Sequence, residues 1–368
     1  MSFVIRGLGT ALPPTVVSQA EAEAVTRNLC RLGPDESALL ATLYRHTGIR
    51  ERHVLFDRQV VRDVIEGTRH SGSVFLPSEK PGDLGPTTSQ RMAVYEEHAL
   101  PLAERAARAA LEPSGVRPGD VTHLVTVSCT GFSAPGVDIA LIKRLGLGPG
   151  VQRTHVGFMG CHGALNGLRV AAAYTGADPA ACVLLCAVEL CSLHFHYQWN
   201  PKRLVANALF ADAAGAVVGT GGPAGPDGWR VAASGSCLFP DSEYAMTWDI
   251  GDHGFDMTLS TRVPNLIRAN LRPWLENWLG GHGLTLGQIA SWAVHPGGPR
   301  VLTDIEVALG LTAGATDVSR EVLAECGNVS SATVVFLLER LRRQNAPRPC
   351  VALGFGPGLV VEAALFVL

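Results

Sequence analysis

Three side chains in this 368-residue chain have the types and placement to do chemistry together: Cys161, His295 and Asn328. Cys161 stands in GFMGCHGALNGLRVAAAY, residues 157–174, among glycines at the head of a small-residue helix. Gly157, Gly160 and Gly163 allow a tight strand-to-helix elbow, and the positive end of the following helix favours thiolate over thiol. His162 is a poor base for it, because adjacent helical side chains diverge by about 100°. His295 is better placed: it closes the apolar strand SWAVH, and PGGP then ends the strand. Asn328 follows Cys326-Gly327 and opens a helix, where asparagine is a favoured cap. Each has an ordinary structural alternative: an inert buried thiol, a turn-bonded histidine, a helix cap. Together they offer a nucleophile, a base and two hydrogen-bond donors suited to a thioester carbonyl or an enolate. A cysteine hydrolase can use the same trio, with Asn orienting His, so the residues alone leave acyl transfer and hydrolysis open. His194 and His196 in HFH lack a third ligand at helical or turn spacing, so they read as loop rather than metal site.

The elements that must carry these residues alternate between strand and helix. Strand FVIRGLG (3–9) precedes a helix over 19–31, a polar connection over 70–88 and a helix from Ser89 to about Ala110. Strand THLVTVSC (122–129), helix DIALIKRLG (138–146), strand THVGF (154–158) and the Cys161 helix follow, then the buried strand CVLLCAVEL (182–190). ALFADAAGAVVGT (208–220) ends the first half, and GGPAGPDG (221–228) reads as a linker. The second half repeats the first. SWAVH matches VTVSC, NVSSATVVFLLERLR matches the helix begun by Cys161, and ALFADAAGAVVGT finds its partner within residues 351–368. Cys161 lies 32 residues after Cys129, and Asn328 lies 33 after His295. A duplicated α/β unit brings strand ends and helix starts together, where α/β sheets place their ligands.

Composition narrows the function classes. Apolar residues make up 47% of the chain and charged ones 17%, so much of it is predicted to be buried. A net charge of −3 with scattered arginines gives no nucleic-acid groove or membrane face. Nine cysteines without a CxxC pair suggest neither a disulfide framework nor a zinc site, and a reducing cytoplasm is expected. No signal peptide or membrane span is read; the apolar run ACVLLCAV is far too short to cross a bilayer.

GFMGCHGALNGLRVA, AVHPGGPRVL, ECGNVSSATVVFLL and ALGFGPGLVVE, in this order, closely resemble the signatures of type III polyketide synthases, the chalcone-synthase-like enzymes. The resemblance runs from about Phe3 to Leu368. It implies the thiolase fold, a five-layered αβαβα architecture with internal duplication and usually homodimeric. The Cys half is then 1–224 and the His/Asn half 225–368. It implies CoA thioesters as substrates, with no further cofactor and no metal. Cys161 would take an acyl group from an acyl-CoA, and His295 would help generate its thiolate as an ion pair. His295 and Asn328 would hold malonyl-CoA as it loses carbon dioxide, and the enolate would extend the chain until it cyclises to a pyrone or phenol.

Phe210 resembles the gatekeeper between CoA tunnel and cavity, while Gly354, Gly356, Pro357 and Gly358 would shape the floor. Arg45, Arg50 and Arg52 match the basic residues that meet the CoA phosphates. The chain departs from plant members at Met257, where a second gatekeeper Phe is common, at Cys129, often Thr, and at Trp248, often Gly. A flexible Met257 and a small Ala134 point to an open apolar cavity and hence to medium- or long-chain acyl starters, yielding alkylpyrones or alkylresorcinols. Against this, Trp248 would fill the same space, and Cys129 also occurs in relatives primed by malonyl-CoA alone that make tetrahydroxynaphthalene-type products. A β-ketoacyl-ACP synthase III-like enzyme would carry His-Gln-Ala-Asn in place of HPGGP. A hydroxymethylglutaryl-CoA synthase would need a glutamate base near Cys129.

Overall fold

The apolar runs of both halves become one nine-stranded sheet in a computed structural model that describes residues 3–80, 82–223, 225 and 228–368. Across the sheet the order is Gln152–Gly157, His123–Ser128, Cys182–Leu190, Asp212–Thr220, Phe3–Ala11, Trp229–Leu238, Val360–Val367, Cys350–Gly356 and Ser291–Val294. Outward from the junction of Phe3–Ala11 with Trp229–Leu238, the two arms run in the same sequence. Each begins with its half's first strand, then its last, its penultimate and its second. The first arm carries one further strand, Gln152–Gly157, at its edge. The duplication expected from the spacing is therefore present, with one refinement. Residues 350–367 form two strands, of which Val360–Val367 takes the place equivalent to Asp212–Thr220 and Cys350–Gly356 that of Cys182–Leu190. The expected boundary at 224 lies outside the described residues.

The sheet folds over on itself, and two helices fill the space between its arms. Gly163–Ala177 packs against strands of both arms, and so does Thr333–Arg343. Their small and branched residues, from Ala164 to Ala172 and from Val334 to Leu338, are buried on nearly every face, which only a helix between two sheets can be. Helix Thr88–Ser114 covers the outer face of the first arm with five fully buried alanines, Ala99, Ala103, Ala106, Ala107 and Ala110. Helices Val263–Gly280 and Pro299–Leu309 cover the second arm. The layers run helix, sheet, helix, sheet, helix: the expected five.

Three elements not foreseen from the sequence shape the surroundings of the site. The hairpin Met246–Gly251/Gly254–Leu259 pairs Trp248 directly with Met257. Helix Pro201–Leu209, capped by Asn200, leads into Phe210. Strands Thr15–Ser18 and Glu51–Val54 form a small second ribbon that brings Arg52 inward. Among the described residues no helix is long and apolar enough to cross a membrane, and all nine cysteines are free thiols.

Candidate active site

Strand Gln152–Gly157 leads into the turn that carries Cys161, strand His123–Ser128 ends at Cys129 beside that turn, and strand Ser291–Val294 ends at His295; these ends hold the chemistry. Cys161 lies in the turn Gly160–His162 that opens helix Gly163–Ala177. The elbow needs left-handed backbone at Phe158 (φ 57°) and Gly160 (φ 69°). Cys129 grips that elbow, its sulfur accepting from Gly160 N at 2.9 Å and lying 3.6 Å from Gly160 O. His295 N donates to Leu353 O at 2.8 Å, extending its strand by one rung. Its ring is buried, and neither ring nitrogen has a hydrogen-bond partner among the described residues.

Asn328 does two things with one amide. Its Oδ1 accepts from Ser330 N at 2.9 Å, capping the turn that opens helix Thr333–Arg343. The same oxygen lies 4.0 Å from Cys161 Sγ. Its backbone joins the gatekeeper segment: Asn328 N donates to Leu209 O, and Ala211 N donates to Asn328 O, both at 2.9 Å.

Two adjoining cavities meet at Cys161. One, about 570 Å³, runs past His295, Asn328 and Gly297 towards Lys202 and Val263. The other, about 560 Å³, is the apolar chamber beyond, reaching Cys129, Trp248, Ser330 and Pro357. Phe210 and Met257 line both, so the two expected gatekeepers stand at the boundary. Trp248 crosses the chamber. Its indole N–H donates to Cys129 O at 2.7 Å, and its ring meets His194 and Phe255 edge-on. Pro357 lines the chamber, while Gly356 lets its strand pass so close to His162 that an added Cβ would lie 2.5 Å from the ring. Gly354 also faces His162, and Gly358 turns away, its carbonyl accepting the Ser242 hydroxyl at 2.7 Å. Ala134 is exposed and lines neither cavity, so it opens no chamber volume.

Electrostatics set burial against the helix start. The helix start favours a thiolate at Cys161, but burial pushes the thiol up to about 12, against the lowering hydrogen bonds of Ser330 and Asn328. Burial also pushes the His295 imidazole down to about 3, with His162 adding to the effect. Both shifts favour the uncharged forms, a thiol and a neutral imidazole, rather than a standing ion pair. His162 is otherwise engaged, its Nδ1 2.7 Å from Asn166 Oδ1.

The arginines divide. Arg52 does not face solvent: it is buried, and it donates to Asn207 O at 2.7 Å and Phe210 O at 2.8 Å. It therefore holds the end of the gatekeeper helix and cannot meet a phosphate at the surface. Arg45 and Arg50 are exposed; Arg45 bonds within its own helix, and Arg50 pairs with Glu325 at 3.2 Å. Neither lines the channel, whereas Lys202 does.

Sequence reasoning missed Glu189. Fully buried, it accepts from Cys129 N at 3.0 Å, from the Thr130 hydroxyl at 2.8 Å and from the Ser331 hydroxyl. It ties the Cys129 elbow to the Asn328 helix, and burial pushes it up to about 7. A glutamate is thus near Cys129 in space, but with three donors it faces the framework and does not line the chamber. The signal was a lone acid inside the apolar strand CVLLCAVEL.

The profile of chalcone and stilbene synthases matches the chain in two parts, the N-terminal domain over residues 2–223 and the C-terminal domain over 230–367. The chain is 36% identical to the 1,3,6,8-tetrahydroxynaphthalene synthase of Streptomyces peucetius subsp. caesius, covering 98% of this chain and 92% of that protein. It is 32% identical to the alpha-pyrone synthesis polyketide synthase-like Pks18 of Mycobacterium tuberculosis, covering 99% and 90%. The crystal structure of PKS-I from the brown alga Ectocarpus siliculosus superposes with a TM-score of 0.88 at 31% identity, over 99% of this chain and 98% of that one. With a duplicated five-layer fold, a cysteine at the central helix start and matches along both halves, the chain belongs to the chalcone and stilbene synthase family, the type III polyketide synthases.

Proposed function

We propose that this synthase loads an acyl unit on Cys161, extends it with malonyl-CoA and releases a small cyclised product. The convergence of Cys161, His295 and Asn328 on one channel supports this most directly. His295 takes the Cys161 proton as sulfur attacks the starter thioester, and the departing CoA sulfur receives it. The malonyl thioester carbonyl then lies against Asn328 Nδ2 and the His295 N–H. As the carboxylate leaves as carbon dioxide, these donors hold the enolate oxygen. The enolate carbon attacks the Cys161 thioester; a C–C bond forms and the C–S bond breaks. Lys202, the cation lining the channel, is placed to meet the anionic part of CoA. The exposed Phe132 and Met159, with the sheet-edge strand Gln152–Gly157, supply an apolar face and open backbone groups for a homodimer.

Trp248 bears most on the starter class. The reasoning from Met257 alone favours long alkyl starters, but its cross-strand partner is an indole fixed by a hydrogen bond across the chamber. We therefore favour a short starter, with malonyl-CoA itself sufficient, as the name of the Streptomyces relative also suggests. The test measures carbon dioxide release and products from malonyl-CoA alone and with acetyl-, hexanoyl-, lauroyl- and coumaroyl-CoA. Cyclic product from malonyl-CoA alone, with kcat/KM falling as the starter lengthens, is expected. A lauroyl optimum would restore the alkyl reading, and free acid without carbon dioxide release would make the chain a hydrolase.

A further inference from the structure

Of the three histidines lining the two cavities, His295 serves the Cys161 thiol, and His194 has both nitrogens occupied. His194 Nε2 lies 2.7 Å from Thr130 O, and its Nδ1 accepts from Phe255 N at 3.0 Å. His196 is different. Its Nε2 is buried and has no hydrogen-bond partner among the described residues, and the residue lines the reactive chamber. Its backbone is clamped by Asn207, whose Oδ1 accepts from His196 N at 2.9 Å and whose Nδ2 donates to His196 O at 3.1 Å. On the other side of the ring, Nδ1 lies 3.6 Å from Asp256 Oδ1, and Asp256 Oδ2 lies 3.3 Å from Arg203. His196 and Asp256 also line a polar surface cavity of about 750 Å³ with Asp252, His253 and Arg203. His196 is the residue this cavity shares with the reactive chamber.

Resting on the synthase reading above, we propose that His196, oriented by Asp256, is the proton carrier for ring closure of the finished polyketide. A backbone held at both ends, a carboxylate beside one ring nitrogen and a second, buried nitrogen without a hydrogen-bond partner among the described residues, on a residue that lines the chamber, suit a general base. Lactone formation shows the balance. An enol oxygen of the linear chain attacks the thioester carbonyl that tethers it, so a C–O bond forms and the C–S bond breaks. His196 takes the enol proton and returns it to the departing thiolate sulfur; nothing is oxidised or reduced. Burial holds the imidazole down at about 4, against the opposing charge of Asp256, so the ring is in its proton-accepting form at neutral pH. The polar cavity behind it lets the ring exchange protons with solvent without opening the chamber.

The experiment compares cyclic with linear products, quenched at neutral pH and resolved by mass spectrometry, in wild type, His196→Ala, Asp256→Asn and Asp256→Glu. The cyclic-to-linear ratio is expected to fall at least tenfold in His196→Ala and to recover, saturably, on adding imidazole. Asp256→Asn is expected to lower the ratio about threefold or more and Asp256→Glu to restore part of it, which a purely structural role would not produce. A ratio within twofold of wild type in His196→Ala overturns the proposal. So does a drop that imidazole leaves untouched, which would mark His196 as loop framework. Condensation by wild type with no such change refutes only His196, whereas a wild type that never condenses malonyl-CoA refutes the synthase reading as well.

Discussion

At Cys161 two opposed influences meet, a helix start that stabilises a thiolate and burial that penalises one, and burial wins in the free protein. Iodoacetamide should therefore label Cys161 slowly at pH 7, with a rate still rising above the ordinary thiol range near 8.5. Fast labelling that is flat below pH 7 would show a standing thiolate–imidazolium pair instead. Glu189 gives a second pH signature. Its folded value, about 7, lies above that of an unfolded glutamate near 4.3. The folded state thus holds the proton to higher pH, and stability falls as pH rises through that window. Relative to Glu189→Gln, wild type should lose on the order of 3 kcal/mol between pH 4 and 8 in denaturant titrations; parallel curves would contradict this. The catalytic candidates were legible in the sequence because Cys161, His295 and Asn328 stand at element ends, where glycines, proline and cap residues mark the place. Arg52, Glu189 and Ser330 were not, because their roles come from burial against segments distant in the sequence, and an arginine in a polar stretch reads as surface until the fold encloses it.

Among the elements, the hairpin Met246–Gly251/Gly254–Leu259 sets two residues of the chamber lining against each other. Local pattern places Met257 and Trp248 on separate stretches, and only the antiparallel register shows that they face each other. The flexible residue was visible in the sequence, but its rigid partner was a matter of register. Trp248→Gly should release that volume, raising kcat/KM for lauroyl-CoA by tenfold or more relative to acetyl-CoA. An unchanged chain-length profile would mean that the indole is not what limits the chamber. Loss of its bond to Cys129 O could also loosen the elbow, so Trp248→Phe, which keeps the bulk without the donor, serves as the control. The long strands and central helices were legible because their apolar runs are continuous. The ribbons and helix Pro201–Leu209 were short and amphipathic, and their pairing partners lay elsewhere.

For the whole molecule, the duplication was visible in sequence as a repeated order of strand ends and helix starts, and the sheet confirms it strand for strand except at the edge strand Gln152–Gly157. The arms are joined through Phe3–Ile5 paired with Val231–Trp229 and through a shared core between them. Cys161 belongs to one arm, and His295 and Asn328 belong to the other, so neither arm alone holds a complete set of reacting groups. Cutting an inserted protease site between residues 221 and 228 should leave more than half of the activity, since the core remains clasped. The separated halves should each be inert, and mixing them should restore turnover only as they associate; an active single half would contradict the division. Turnover then works as a logical conjunction, a chemical output that appears only when two separately encoded polypeptides have found each other.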